Sequence, residues 1–183
     1  MDMQNEDVLA EIGDSVRAVD EAELDAFADA IVSAGRIALY GVGREGLQMR
    51  ALAMRLYHLG LDAHVVGDMT TPPLGDGDLL VVSAGPGAFS TVSALIGTAQ
   101  DAGARTACVT SVPGGTSAAA VDLRLVIPAQ TMAQDSGGEV SALPMGSLFE
   151  VAQFVTFELL VKRLMTMLDV NFARMRGRHT NLE

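Results

Sequence analysis

Ile37-Ala-Leu-Tyr-Gly-Val-Gly-Arg-Glu-Gly46 runs from a short apolar segment straight into a glycine-rich turn, and Leu79-Leu-Val-Val-Ser-Ala-Gly-Pro-Gly-Ala-Phe89 does so again. A short, continuously apolar run bounded by glycine reads as a strand buried on both faces, the kind found in a parallel sheet. Glycine turns at the carboxyl ends of such strands let backbone N–H groups and helix N-termini approach an anionic ligand. The two stretches therefore predict an open parallel sheet with a small-molecule site where two of its strands end.

Outward from these stretches, strand and helix signals alternate. Strands are expected at 36–40, 63–67, 78–83, 105–110 and 123–127, and helices at 44–59, 90–102 and, briefly, 116–120. Gly60 and Gly103 stand where helices commonly stop. Residues 4 to about 34 carry apolar positions at helical spacing (Val8, Leu9, Ile12, Val16, Leu24, Phe27, Ile31), which predicts a helix or helix pair ending at Ala34-Gly35. The segment 128–146 is rich in Gly, Ser, Pro and Gln and reads as a long loop, a common place for function. A helix from Ser147 to about Leu168 follows, apolar on most of its circumference, so it needs cover on more than one side. The sheet supplies one cover, and a second subunit is the natural candidate for another. The expected fold class is α/β, a three-layer αβα sandwich around a five-stranded parallel sheet, with residues 1–183 forming one domain.

Composition narrows the function classes. The chain has 183 residues, 49% of them hydrophobic, enough for a proper core. No apolar stretch reaches the roughly 18 residues of a membrane span, and the acidic start from Asp2 to Asp7 is unlike a signal peptide, so a cytoplasmic protein is expected. A net charge of −11 with a single lysine, Lys162, argues against nucleic acid. The lone Cys108 excludes disulfide staples and cysteine zinc clusters and reads as a core residue. No set of His, Cys or carboxylates has ligand spacing, so neither metal nor cofactor is expected. The methionines read as adaptable core filler.

Several residues admit two readings. Arg44 opens a helix, where a cation is unfavourable to the helix dipole; it holds an anionic ligand, or pairs with Glu45 or with a carboxylate across a subunit interface. Glu45 beside it is normal first-turn chemistry, or a carboxylate set against any phosphate in the crevice. Ser147-Leu-Phe-Glu150 matches a capping box, in which Glu150 closes back on the helix start. His58 and His64 read as structural or surface groups, and His179 lies in a polar tail without an apolar stripe to bury it. Gly41-x-Gly43-x-x-Gly46 after a strand, with Asp68 after the next, also satisfies a dinucleotide-binding fingerprint, although the chain has no room for a separate catalytic domain.

Taken together, Gly41-Val-Gly-Arg44, Ala53-Met-Arg-Leu-Tyr-His-Leu-Gly60, Val66-Gly-Asp-Met-Thr-Thr-Pro72, Pro144-Met-Gly-Ser-Leu-Phe-Glu150 and the tail Arg178-His-Thr-Asn-Leu-Glu183 resemble the 6-phospho-3-hexuloisomerases, of the sugar-isomerase (SIS) fold. The resemblance runs from near residue 35 to the end, and the last two motifs are its most specific part. It implies tetramers with sites between subunits and interconversion of a ketohexose 6-phosphate with fructose 6-phosphate. It also implies Glu150 as the carboxylate that moves a proton through a cis-enediol, and His179, from the tail 171–183 of a neighbouring subunit, as the ring-opening partner. Gly43, Arg44, Glu45, Gly85, Gly87, Ser90, Thr91 and Ser111 are the candidate substrate-binding positions.

The chain departs from the family at the phosphate. Serine usually stands at the position of Glu45, and a Ser-Gly-Ser-Gly-Glu-Thr-like loop at Ala84-Gly-Pro-Gly-Ala-Phe89. Pro86 also removes a backbone donor. Ser83, Ser90 and Thr91 are near enough in sequence to compensate. The leading expectation is a sugar isomerase acting on a hexulose or its phosphate. A non-catalytic or redirected carbohydrate-binding protein of the same fold, without normal phosphosugar binding, is the alternative, and a dinucleotide binder a distant third.

Overall fold

The computed structural model of the chain describes residues 3–135 and 141–182. Strands β1 (Ile37–Gly41), β2 (Ala63–Val65), β3 (Leu79–Ser83), β4 (Arg105–Thr110) and β5 (Leu123–Val126) pair in parallel in the order β2-β1-β3-β4-β5. From β1 the chain moves outward to β2 and then returns to the other side of β1 for β3. In an open α/β sheet, ligands bind in the crevice at such a reversal. The register sets Gly41 beside Ser83, so both glycine loops leave the sheet next to each other at that crevice.

The helices are α1 (Met3–Arg17), α2 (Glu21–Ser33), α3 (Gly43–Leu59), α4 (Ser90–Asp101), α5 (Thr116–Ala119), α6 (Ser147–Met167) and α7 (Phe172–Gly177). Side chains alternate across a strand, and β3 shows the consequence. Leu79 and Val81 join Phe27, Ile31, Leu52, Leu56, Phe149 and Leu160 from α2, α3 and α6 on one face. Leu80 and Val82 join Val92, Ile96, Ala99 and Ala118 from α4 and α5 on the other. This is the expected three-layer arrangement. Cys108 is fully buried among the second group, and burial pushes its thiol pKa up to about 12.

Local chemistry explains where the elements differ from expectation. The N-terminal segment is a helix pair because the Asp20 carboxylate accepts the N–H groups of Ala22 and Glu23 and starts α2 afresh. β2 stops at Val65, short of the expected 67, because Gly67 turns the chain at φ 102° and Thr71 Oγ1 donates to the Val65 carbonyl. The expected loop 128–146 contains a 3-10 turn at Met132–Gln134, closed by a Thr131–Gln134 capping box; its residues 136–140 lie outside the described ones. The tail expected from 171 opens with α7, whose start is capped by the Asn171 side chain accepting the Arg174 N–H. α6 packs on α1, α2 and α3, yet Phe154, Leu159 and Met167 stay exposed on it.

Candidate active site at the strand reversal

The site begins with the glycines that let α3 start tight against β1. A Cβ on Gly41 would lie 2.9 Å from the Gly46 nitrogen and 3.0 Å from Met49 Cγ, and Gly43 has a left-handed φ of 58°. Close helix–strand packing thus accounts for the first glycine motif. Asp68, its suspected ribose acid, pairs instead with Arg50 of α3 at 3.5 Å.

The tight start of α3 delivers Arg44 and Glu45 to the crevice. Arg44 Nε lies 2.5 Å from Glu150 Oε2, so within the chain it pairs with Glu150 and not with the adjacent Glu45. The capping box that the spacing at Ser147 matches, the competing reading of Glu150, does not form. Gly146, at a left-handed φ of 76°, occupies the N-cap, Ser147 is already helical, and Glu150 is left free of the cap to pair with Arg44. Its Oε2 is buried and accepts no aligned hydrogen bond despite the short ion pair. Burial raises the Glu150 pKa, and the Arg44 cation works against that rise.

Glu45 turns inward. Its Oε2 accepts the Ser83 hydroxyl at 2.6 Å and the Gly85 N–H at 2.9 Å, and Gln153 Nε2 donates to Ser83 Oγ at 2.9 Å. Desolvation raises the Glu45 pKa, the two hydrogen bonds oppose the rise, and Glu150 adds to it. Gly85 has to be glycine here, because a Cβ would lie 2.8 Å from both Glu45 Oε1 and the Phe149 ring.

The other candidate positions fall into two groups. Gly87 donates its N–H to Ala84 and its carbonyl accepts from Ser117 and Ala118, so it anchors α5 to the loop. The Gly85 carbonyl accepts the Ser111 N–H, while Ser111 Oγ donates to the Ala129 carbonyl at 2.6 Å. Ser111 also lines a cleft of about 480 Å³ with Gln130, Gln134 and Leu148. Ser90 and Thr91 are exposed on the first turn of α4, whose N-cap, Phe89, offers no side-chain cap.

His179 lies elsewhere. Its ring stacks on His58 with centroids 5.2 Å apart, and Arg178 donates to the His58 carbonyl at 3.1 Å. His58 ends α3 and Arg44 begins it; fourteen residues of helix at about 1.5 Å each separate them by about 21 Å. Within one chain, then, the imidazole and Glu150 do not meet. His179 instead lines a cleft of about 250 Å³ with Arg55, Glu158 and Lys162. His64 pairs with Asp62 at 2.8 Å. Sequence reading missed Gln153, whose signal is a lone amide inside the apolar run of α6. Among the described residues no three His, Cys, Asp or Glu side chains gather closely enough to hold a metal ion, and no helix is long and apolar enough to cross a membrane.

No family profile matches the chain. It is 40% identical over 176 residues to the 3-hexulose-6-phosphate isomerase of Mycobacterium gastri, an alignment covering 96% of this chain and 88% of that protein. The Bacillus subtilis protein of the same name is 32% identical over 177 residues, covering 97% and 96%. A solved structure from Methanococcus jannaschii, for which a molecular function of 3-hexulose-6-phosphate isomerase was inferred, superposes with a TM-score of 0.83 at 27% identity over 96% of this chain and 98% of that one.

Proposed function

Because the chain belongs to the 3-hexulose-6-phosphate isomerase family, we propose that it isomerises a phosphorylated hexulose, moving the carbonyl between neighbouring carbons through a cis-enediol. The observation that carries the reading is Glu150: a largely buried carboxylate, released from helix capping and held by Arg44 at the strand reversal. In its ionised form Glu150 takes the proton from the carbon beside the carbonyl and returns it to the neighbouring carbon. Burial that raises its pKa makes it a stronger base for that transfer. Arg44 orients the carboxylate and, on the way to the enediol, offsets charge developing on the sugar oxygens. The exposed hydroxyls of Ser90 and Thr91 and the backbone of 43–46 line the approach.

His179 is assigned to ring opening in the site of another copy of the chain. Support comes from the distance of about 21 Å that α3 places between it and its own Glu150 side, and from the exposed Phe154, Leu159 and Met167 that a partner would cover. On this reading residues 1–183 form one domain of a cytoplasmic homo-oligomer, a tetramer, whose tail from 171 reaches a neighbour. The test is Glu150→Gln with 3-hexulose 6-phosphate as substrate and fructose 6-phosphate formation as readout. Loss of a positioned base lowers kcat by about 10²- to 10⁴-fold. A variant within a few-fold of the wild type removes Glu150 from the chemistry.

A further inference from the structure

Resting on the isomerase reading for the identity of the ligand, we infer that Glu45 is a specificity residue: its carboxylate fills the donor cradle of the second glycine loop, so that residues 83–87 take sugar hydroxyls and the substrate's phosphate is held away from them. The nearest donors in this loop are the Gly85 N–H and the Ser83 hydroxyl. Both are taken by Glu45 Oε2. Pro86 has no N–H, and that of Gly87 goes to Ala84. An anion arriving at residues 83–87 therefore meets a carboxylate where donors would be.

The arrangement is fixed from behind. Ser83 is fully buried and receives the Gln153 amide, and the Phe149 ring lies against Gly85. The outer oxygen of Glu45 differs from the inner one. Oε1 takes no hydrogen bond among the described residues and, in a side chain that is otherwise buried, is not wholly sealed from solvent. A carboxylate oxygen held in that way accepts hydroxyl donors and repels phosphate. Nearby, Arg44 is committed to Glu150, so the pair of carboxylates outweighs the one cation.

A purely structural role for Glu45, tying α3 to the β3 loop, makes a different prediction, and binding separates the two. Wild type, Glu45→Gln and Glu45→Ser are titrated with inorganic phosphate and, separately, with fructose, and their melting curves confirm the fold. Gln keeps an acceptor for Ser83 and Gly85 without the charge, so it covers the case in which Ser destabilises the loop. Phosphate affinity is expected to rise at least about tenfold in Glu45→Ser, the scale of one recovered charge-assisted hydrogen bond. The rise is smaller in Glu45→Gln, and fructose affinity falls in both. Phosphate affinity within about threefold of wild type in both variants, or no phosphate binding by any of the three proteins, overturns the assignment. Turnover of 3-hexulose 6-phosphate by the wild type is read separately. Its absence alongside the expected binding pattern removes the isomerase reading and leaves Glu45 as assigned.

Discussion

Gly85→Ala is expected to destabilise the protein and disable the crevice together, and its size follows from the contacts around one missing methyl. The added Cβ lies 2.8 Å from Phe149 Cδ1 and Cε1 and 2.8 Å from Glu45 Oε1. Unstrained carbon contacts lie at about 3.5–4.0 Å, so something must shift by about 0.7 Å or more. Phe149 is 1% exposed and cannot swing out, and Glu45 is held by Ser83 and by the Gly85 N–H itself. Overpacking of this kind costs about 1–3 kcal/mol. At about 2–4 °C per kcal/mol for a chain of this size, Tm falls by about 2–12 °C. Gly97→Ala is the internal control. It lies inside α4 with nothing within 4 Å of a built Cβ, so replacing glycine in a helix stabilises by about 0.5–1 kcal/mol and raises Tm. Calorimetric melting of both variants, with turnover measured alongside, reads the opposite signs. A Gly85→Ala protein melting within about 1 °C of wild type, or a Gly97→Ala protein that falls as far, refutes the reasoning.

Two further outcomes test the chemistry. Arg44→Ala removes the cation that opposes the burial-driven rise in the Glu150 pKa, so the pKa rises further; since the base must be ionised, activity is then lost at a higher pH as pH falls. The kcat/KM profile checks this, and an acid limb that stays put or moves down contradicts it. If His179 serves a neighbouring site, Glu150→Gln and His179→Ala chains, each inactive alone, regain activity when refolded together, because mixed sites combine an intact Glu150 with an intact His179. Two inactive variants that stay inactive in mixed oligomers place His179 outside the site.

Much of this protein was legible in the order of its residues, because the signals were local. An apolar run such as Leu79–Val82 can satisfy itself only as a buried strand, and the glycine that follows it can only be a turn. Gly60 and Gly103 stop their helices at φ 95° and 83°, as their positions predicted. Arg44 and Glu150 were legible as residues, and the capping-box pattern at Ser147 was equally visible. The pattern was not used, since Gly146 took the cap and Glu150 found Arg44 through the packing of α6 beside α3.

What tertiary structure alone decided is the direction in which charges point. Glu45 meets a hydroxyl 38 positions away, that hydroxyl meets an amide 70 positions further on, and His179, beyond the last helix, meets His58 on α3. Local sequence fixes which backbone a residue belongs to, because propensity and hydrophobic period act over a few residues. A buried carboxylate takes whichever donors the fold brings to it, because leaving it unpaired costs too much free energy. Its partners are therefore set by how the elements pack, and only the folded chain could show that the crevice already holds an anion of its own.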